Sequence, residues 1–415
     1  MSEGRGQYSR TELPHGLTVL TESMSGVRSA SVGVWVRFGS AHEQREEMGI
    51  AHLLEHMVFK ATAQRSARDI ALSLERLGGS LDAYTTREHT SFQARVLDEH
   101  LDVALDVLAD LVVHPTLRAE DLELEREVIL EEISTVEDTP DDLIFELQSK
   151  ALWNGHPYGH SILGTRETIA QLTATDLQRV HRSAYSRPNI VIAAAGHVAH
   201  EPFVRRVESL FAGAPTNGTT PLVAVVDTEP VAHIRQTRDT AQTHVTLAAR
   251  TFGHPDPRRY AFVLLSNAMG GGMSSRLFQR VREELGLAYS VYSFQSFYRN
   301  AGLSGVYVGT RPEWGDRALE VIRAEMMRVA RSGLDAQELQ DAKGQLKGQL
   351  ALSLESSGGR MHRLAAFELY EESFQNLDEL TARIDAVTQD DVAAVAAEYW
   401  DPDRHTLVRL GPEAA

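Results

Sequence analysis

The sequence predicts an α+β fold made of two related halves, each a layered domain of sheet and helices. Three observations predict it. Strand-type alternation and helix-type spacing are interleaved along the chain, which fits neither a helical bundle nor an all-β sandwich. A stretch rich in turn formers, Ala212-Gly-Ala-Pro-Thr-Asn-Gly-Thr-Thr-Pro221, has no apolar period and falls near the midpoint of the 415 residues. Segments on either side of that break repeat at a nearly constant offset.

Taken in order, Gly16-Leu-Thr-Val-Leu20 and Ala30-Ser-Val-Gly-Val-Trp-Val-Arg37 alternate apolar with small or polar residues and read as strands. From Gly49 to Phe59 the spacing turns helical. Ser66 to Leu77 reads as a second amphipathic helix, stopped by Gly78-Gly79. Thr90 to Val96 returns to strand alternation. Leu101–Val113 and Ala119–Val136 read as helices separated by His114-Pro115-Thr116, and Ile190–Gly196 as a buried strand. The repeat sets Asp102-Val-Ala-Leu-Asp-Val-Leu108 opposite Asp316-Arg-Ala-Leu-Glu-Val-Ile322, an offset of 214. Val34–Gly39 falls opposite Leu247–Gly253. Leu117–Leu122 matches Leu334–Leu339 at 217, the extra three residues fitting a longer connection near Val329–Gly333.

Composition narrows the function. The chain is 42% hydrophobic and 24% charged, an ordinary globular balance that excludes disorder and collagen-like repeats. With no cysteine, disulfides, thiolate metal sites and a cysteine nucleophile are all excluded. Any metal must be held by imidazole and carboxylate. A net charge of -17 repels phosphate backbones and anionic lipid, so neither nucleic acid nor membrane is expected as partner. The polar start MSEGRGQYSR and the shortness of the longest apolar run, against the roughly 20 residues a span needs, point to a cytoplasmic protein.

The chemistry concentrates in His52-Leu-Leu-Glu55-His56. On a helix, residues i and i+4 share a face, so both imidazoles reach one ion, with Glu55 beside them. A catalytic zinc usually takes three protein ligands, so a third is needed from elsewhere. The best source is the helical Leu124–Glu132, where Glu125 and Glu132 are two turns apart on one face. Carboxylates bordering an inward-facing apolar stripe are costly to bury unless a cation compensates. The HxxEH pattern arises by chance in about one chain in twenty of this composition, usually on a surface helix. Here it is embedded in Gly49-Ile-Ala-His-Leu-Leu-Glu-His-Met-Val-Phe59, which is apolar on most sides.

The motif is the inverse of HExxH, and the chain resembles the pitrilysin/insulinase family of zinc metallopeptidases, which includes mitochondrial processing peptidase. The resemblance rests on Gly39-Ser-Ala-His-Glu43, Gly49–Lys60 and Glu125-Arg-Glu-Val-Ile-Leu-Glu-Glu-Ile133. It extends through Gly155–Gly159, Ile162–Gly164, Arg187–Ile192, Gly270-Gly-Gly-Met-Ser-Ser-Arg-Leu-Phe278 and Val281–Ser290, nearly the whole chain. It implies two duplicated layered domains, each a mainly antiparallel sheet packed with helices. Residues 1–212 would be the catalytic zinc-binding domain, 213–229 a linker, and 230–415 a homologous domain without metal. By the resemblance His52, His56 and Glu132 are the zinc ligands, Glu55 the general base and Glu125 a second acidic residue supporting the site. Arg282 and Tyr289 match residues that reach the substrate and its tetrahedral intermediate, as suitable oxyanion donors. Gly270, Gly271 and Gly272 match a loop near the substrate entrance; by themselves they read as a flexible turn before a helix starting near Ser274. Substrate would add as a strand beside Leu81–Thr85, with Asp82 and Ala83 in contact with it. Two departures stand out: Asp82 where Asn is usual, and Ala61 where Gly is usual.

The duplication supplies an internal control. His52, Glu55 and His56 fall opposite Ser266, Met269 and Gly270, while Glu125 and Glu132 fall opposite Ala342 and Gln349. One zinc per chain is therefore expected. A peptide hydrolase is the first reading; a non-catalytic peptide-binding subunit and a hydrolase of non-peptide substrates are the others. Such subunits lose the HxxEH motif, which is intact here. Because this chain carries both the zinc set and Arg282/Tyr289, the resemblance implies a homodimer whose four halves enclose a chamber for unfolded peptides.

Overall fold

The computed structural model of the protein describes residues 7–413. The first part of the chain runs β1 (Gln7–Glu12), β2 (Thr18–Ser23), β3 (Ser29–Val36), α1 (Ile50–Val58), α2 (Ala67–Glu75), β4 (Ser80–Thr85) and β5 (Thr90–Leu97). It continues α3 (Leu101–Val113), α4 (Ala119–Asp138), α5 (Pro140–Trp153), α6 (Arg166–Gln171), α7 (Ala174–Ala184), β6 (Ile190–Gly196) and α8 (His200–Leu210). After a stretch without helix or strand come β7 (His233–Thr237), β8 (Thr243–Thr251), α9 (Arg259–Gly270), a π-helical segment Phe278–Glu284, β9 (Ala288–Phe297) and β10 (Gly302–Thr310). The chain ends with α10 (Gly315–Ser332), α11 (Ala336–Ser353), α12 (Ser357–Leu369), α13 (Leu377–Ala386), α14 (Gln389–Tyr399) and β11 (Thr406–Gly411). The helices read from apolar spacing are all present, Leu101–Val113 to the residue. No helix among the described residues is long and apolar enough to cross a membrane.

Two sheets form, ordered β1-β2-β6-β3-β5-β4 and β7-β11-β8-β10-β9. Without β1, the orders correspond strand for strand. Each sheet also has one parallel pair, β2 with β6 and β7 with β11, in otherwise antiparallel pairing. Shared order and shared position of the parallel pair carry the duplication beyond helical pattern matches. The expected α+β fold, a mainly antiparallel sheet with helices in each half, is what forms.

The two compact units interleave along the chain. One comprises the segment up to Ile133, His160–Val223 and Leu352–Phe374; the other comprises Ser134–Gly159, Ala224–Ala351 and the segment from Gln375. Helix α12, late in the sequence, therefore covers the first sheet, and α5, early in the sequence, covers the second. The physical cause lies in the central strands. All seven positions of β6 are buried, so the strand needs apolar cover on both faces. Ile190, Ile192 and Ala194 belong to the larger core that also takes in α1 and α3, while Val191, Ala193 and Ala195 pack with Met361, Leu364 and Ala365 of α12. In the second sheet, Leu143, Ile144 and Ala151 of α5 pack on Tyr307, Val408 and Leu410. Polar contacts hold α12 in place: an Arg360–Glu22 ion pair, a Ser31–Ser357 hydroxyl contact of 2.9 Å, and Arg37 donating to the carbonyls of Leu369 and Glu368 at 2.8 and 2.7 Å.

Candidate active site

Helix α1 is anchored before it begins. The backbone N–H groups of Gly49 and Ala51 both donate to the buried Glu43 carboxylate at 2.8 Å, satisfying donors that no helical carbonyl can reach. Gly49 has φ +91°, and a side chain there would meet the Leu163 carbonyl at 2.7 Å, so glycine is required. Seven of the nine residues of α1 are buried, among them Glu55. The helix is locked in register, and with it the directions of His52, Glu55 and His56.

The two imidazoles lie with ring centroids 4.6 Å apart. Against them comes Glu132 of α4, its carboxylate oxygens 3.8 Å from His52 Nε2 and 3.7 Å from His56 Nε2. These distances are too long for hydrogen bonds, yet one ligand atom from each residue lies within 4.8 Å of the others. Among the described residues this is the one such group of His, Cys, Asp or Glu side chains. Glu132 Oε2 is shielded from solvent without a hydrogen-bond partner, an arrangement that is costly unless a cation compensates. Two imidazole nitrogens and a carboxylate are a suitable zinc donor set, with bonds of about 2.0–2.2 Å. The residues fit the ion.

Around the cluster the protonation states are arranged. His56 Nδ1 lies 3.0 Å from Glu125 Oε2, and the other oxygen of Glu125 pairs with Lys60. A buried carboxylate behind a histidine holds the Nδ1–H tautomer and leaves Nε2 free to ligate. Burial, helped by the neighbouring His56, pushes the His52 pKa down to about 3, so its ring is neutral. Glu55 accepts a 2.6 Å hydrogen bond from the Thr85 hydroxyl. Burial pushes the Glu55 pKa up, opposed by that hydrogen bond, the direction that makes a carboxylate a better proton acceptor near neutral pH. Glu131, next to Glu132 in sequence, is exposed.

Asp82 and Ala83 lie on β4, the free edge of the first sheet. The β4–β5 turn closes with the Thr86 N–H donating to the His89 carbonyl. Alternation then leaves the backbone groups of Leu81, Ala83 and Thr85 facing the open edge. The Ala83 N–H is taken up by Asp82 Oδ1 at 2.9 Å.

In the other unit, Arg282 sits in the π-helical segment. Its guanidinium is 4.6 Å from the Phe278 ring centroid and 4.5 Å from that of Tyr289, and it donates to the Tyr289 carbonyl at 3.2 Å. Tyr289 is 74% exposed on the edge strand β9. Gly270 differs from the flexible turn read in the sequence: it closes α9 and is buried, and a Cβ there would lie 2.2 Å from the Ser293 amide nitrogen. Gly271 and Gly272 follow it outside the helix, and helical structure resumes at Arg276. Opposite His52 in the duplication, Ser266 donates its hydroxyl hydrogen toward Gln295 Oε1 at 2.5 Å, and the Ser293 hydroxyl donates to the Ser266 carbonyl at 2.7 Å. Neutral hydroxyl and amide groups fill the place of imidazoles.

Sequence reasoning did not single out Thr85, Lys60 or Glu43. Lys60 and Glu43 lay inside quoted motifs without a role. Thr85 had a usable signal, since strand alternation puts it on the same face as Ala83, toward α1.

Two family models match the chain: insulinase (peptidase family M16) over residues 18–166 and the peptidase M16 inactive domain over residues 171–346. An uncharacterized zinc protease of Streptomyces coelicolor is 40% identical, covering 99% of this chain and 90% of the relative. YmxG, an uncharacterized zinc protease of Bacillus subtilis, is 38% identical over 96% of this chain and 97% of its own length. Among solved structures, a peptidase M16 inactive domain from Pseudomonas fluorescens superposes with a TM-score of 0.93 at 24% identity, covering 99% of this chain and 98% of that one. A protease from Helicobacter pylori gives 0.92 at 21%, covering 98% of this chain and all of that one. Those two likenesses concern the fold. With relatives this similar along nearly its whole length, the chain belongs to the insulinase family, peptidase family M16.

Proposed function

We propose that this chain is a zinc-dependent endopeptidase or oligopeptidase that hydrolyses unfolded peptides. The observation that carries the reading is the convergence of His52, His56 and Glu132 beside a buried, hydrogen-bonded Glu55. Zinc held by those three residues supplies Lewis acidity, which acidifies water and polarises a carbonyl. Glu55 takes the proton from the attacking water and passes it to the leaving amine. Glu125 keeps the His56 ring oriented through Nδ1. The open edge of β4 pairs with the peptide backbone, with Asp82 and Ala83 in contact with it. Arg282 and Tyr289 offer a cation and a phenol to the developing oxyanion, and Gly270, Gly271 and Gly272 belong to the substrate entrance.

Along the chain, residues 1–212 would hold this chemistry and 230–415 the Arg282/Tyr289 pair, joined by 213–229. One zinc per chain is supported by Ser266, Gly270, Ala342 and Gln349 at the duplicated positions. The working assembly is a homodimer enclosing a chamber. Sedimentation of a fully active monomer would refute it. A non-catalytic peptide-binding subunit is disfavoured by the intact set His52, Glu55, His56 and Glu132.

The test is Glu55→Gln, which removes the base and no ligand. The variant is expected to retain zinc and fold while losing nearly all turnover of a chelator-sensitive fluorogenic peptide. Near-normal activity in a metal-loaded variant would overturn the assignment.

A further inference from the structure

The hydrogen bond between Thr85 and Glu55 joins two parts of the site that otherwise lie on different elements. Glu55 stands on α1. Thr85 is the last residue of β4, the edge strand. Its backbone N–H and C=O face the open edge, because the neighbouring Thr86–His89 pair is the bonded one and alternation sets Thr85 opposite Thr90 in a non-bonded pair. Its side chain turns the other way from Tyr84, toward α1, and donates to Glu55 Oε2 at 2.6 Å. The Thr85 oxygen is itself 3.4 Å from the Thr90 hydroxyl, which donates to the buried Phe38 carbonyl at 2.9 Å. One residue therefore faces the free edge with its backbone and holds one oxygen of a buried carboxylate with its side chain.

We propose that Thr85 is a positioning residue that holds the Glu55 carboxylate in a single orientation, with one oxygen occupied and the other left to accept a proton, and that links strand pairing at the β4 edge to that orientation. The inference rests on Glu55 being the base. A glutamate carboxylate, at the end of three rotatable bonds, that loses the hydroxyl donor fixing it samples several orientations, and only one is productive. The chemical step therefore suffers more than peptide binding does.

The experiment uses the full-length zinc-loaded protein with Thr85→Val, Thr85→Ala and Thr85→Ser. Zinc content, kcat and KM are measured on one fluorogenic peptide, and Glu55 is located in a crystal structure of the Val or Ala variant. The expected result is unchanged zinc content and a kcat lower by about 10- to 100-fold in Val and Ala, as for a lost hydrogen bond to a charged group. KM should stay within about threefold, the Ser variant should return close to wild type, and the Glu55 carboxylate should have turned from its place. Ala gives the same reading should Val fail to fold. Wild-type kcat in a zinc-loaded Val or Ala variant, or a Ser variant as impaired as Ala, would overturn the inference. Should the wild-type protein show no chelator-sensitive peptide hydrolysis, it is the proposed function that fails, and the crystallographic position of Glu55 still decides whether Thr85 holds it.

Discussion

Replacing Glu125 by Gln separates the orienting role proposed for that side chain from its part in stability. Glu125 is 3% exposed and accepts from two donors, His56 Nδ1 at 3.0 Å through one oxygen and Lys60 through the other. Glutamine keeps the shape but has one oxygen. If that oxygen stays with His56, its NH2 group confronts the Lys60 ammonium; if it turns to Lys60, the NH2 confronts the His56 N–H. One contact is lost either way. Breaking a fully buried ion pair costs about 3–5 kcal/mol. The Lys60 side chain is 34% exposed and can swing into water, which lowers the expected loss of stability to about 1–2 kcal/mol. The effect on metal is separate: weakening the carboxylate behind a ligating histidine typically lowers affinity about 10- to 100-fold, or about 1.4–2.7 kcal/mol. Zinc competition against a chelator of known affinity gives the second number, and denaturant unfolding of the metal-stripped protein gives the first. A variant that is destabilised as expected but binds zinc within twofold of wild type would refute the orienting role.

Three further outcomes follow from the same geometry. Glu132→Gln should weaken zinc binding far more than Glu131→Gln, because only Glu132 faces the imidazoles; equal loss in the two would mean the α4 register is wrong. Gly270→Ala should lower stability by about 1–3 kcal/mol, since the new methyl meets the Ser293 backbone; an unchanged denaturant midpoint would contradict that packing. Burial lowers the His181 and His405 pKa values from 6.5 to about 4. Both rings are then neutral when folded, and the unfolded chain binds more protons between pH 4 and 6.5. Stability should be complete above pH 6.5 and be lost as pH falls toward 4, at up to about 1.4 kcal/mol per pH unit per histidine. Urea titrations of metal-stripped His181→Gln should show a shallower slope than wild type, and an identical slope would count against the argument.

What the amino-acid sequence determined is what local periodicity and motif spacing carry. The boundaries of α1, α3 and β6 follow from the apolar repeat, because a helix or strand must turn one face inward and the spacing records which. The HxxEH spacing set both imidazoles on one face of α1 whatever surrounds it, and the two-turn separation of Glu125 and Glu132 did the same for α4. The repeat at 214 residues anticipated two sheets with matching strand order. What only the tertiary structure decided depends on contacts between residues far apart in the chain. The apolar run of β6 demands cover on both faces, yet nothing local says that α12, some 160 residues later, supplies it, or that α5 packs on the second sheet. The choice between Glu125 and Glu132 lies at the same level. Both share a face, and it is the closeness of Glu125 to His56 Nδ1 and Lys60, and of Glu132 to both Nε2 atoms, that supports the proposed division into an orienting carboxylate and a ligand. Thr85 holds Glu55, and Glu43 the first turn of α1, for the same reason: a hydrogen bond across 30 residues or 6 depends on how the chain returns on itself, which spacing along the sequence does not encode.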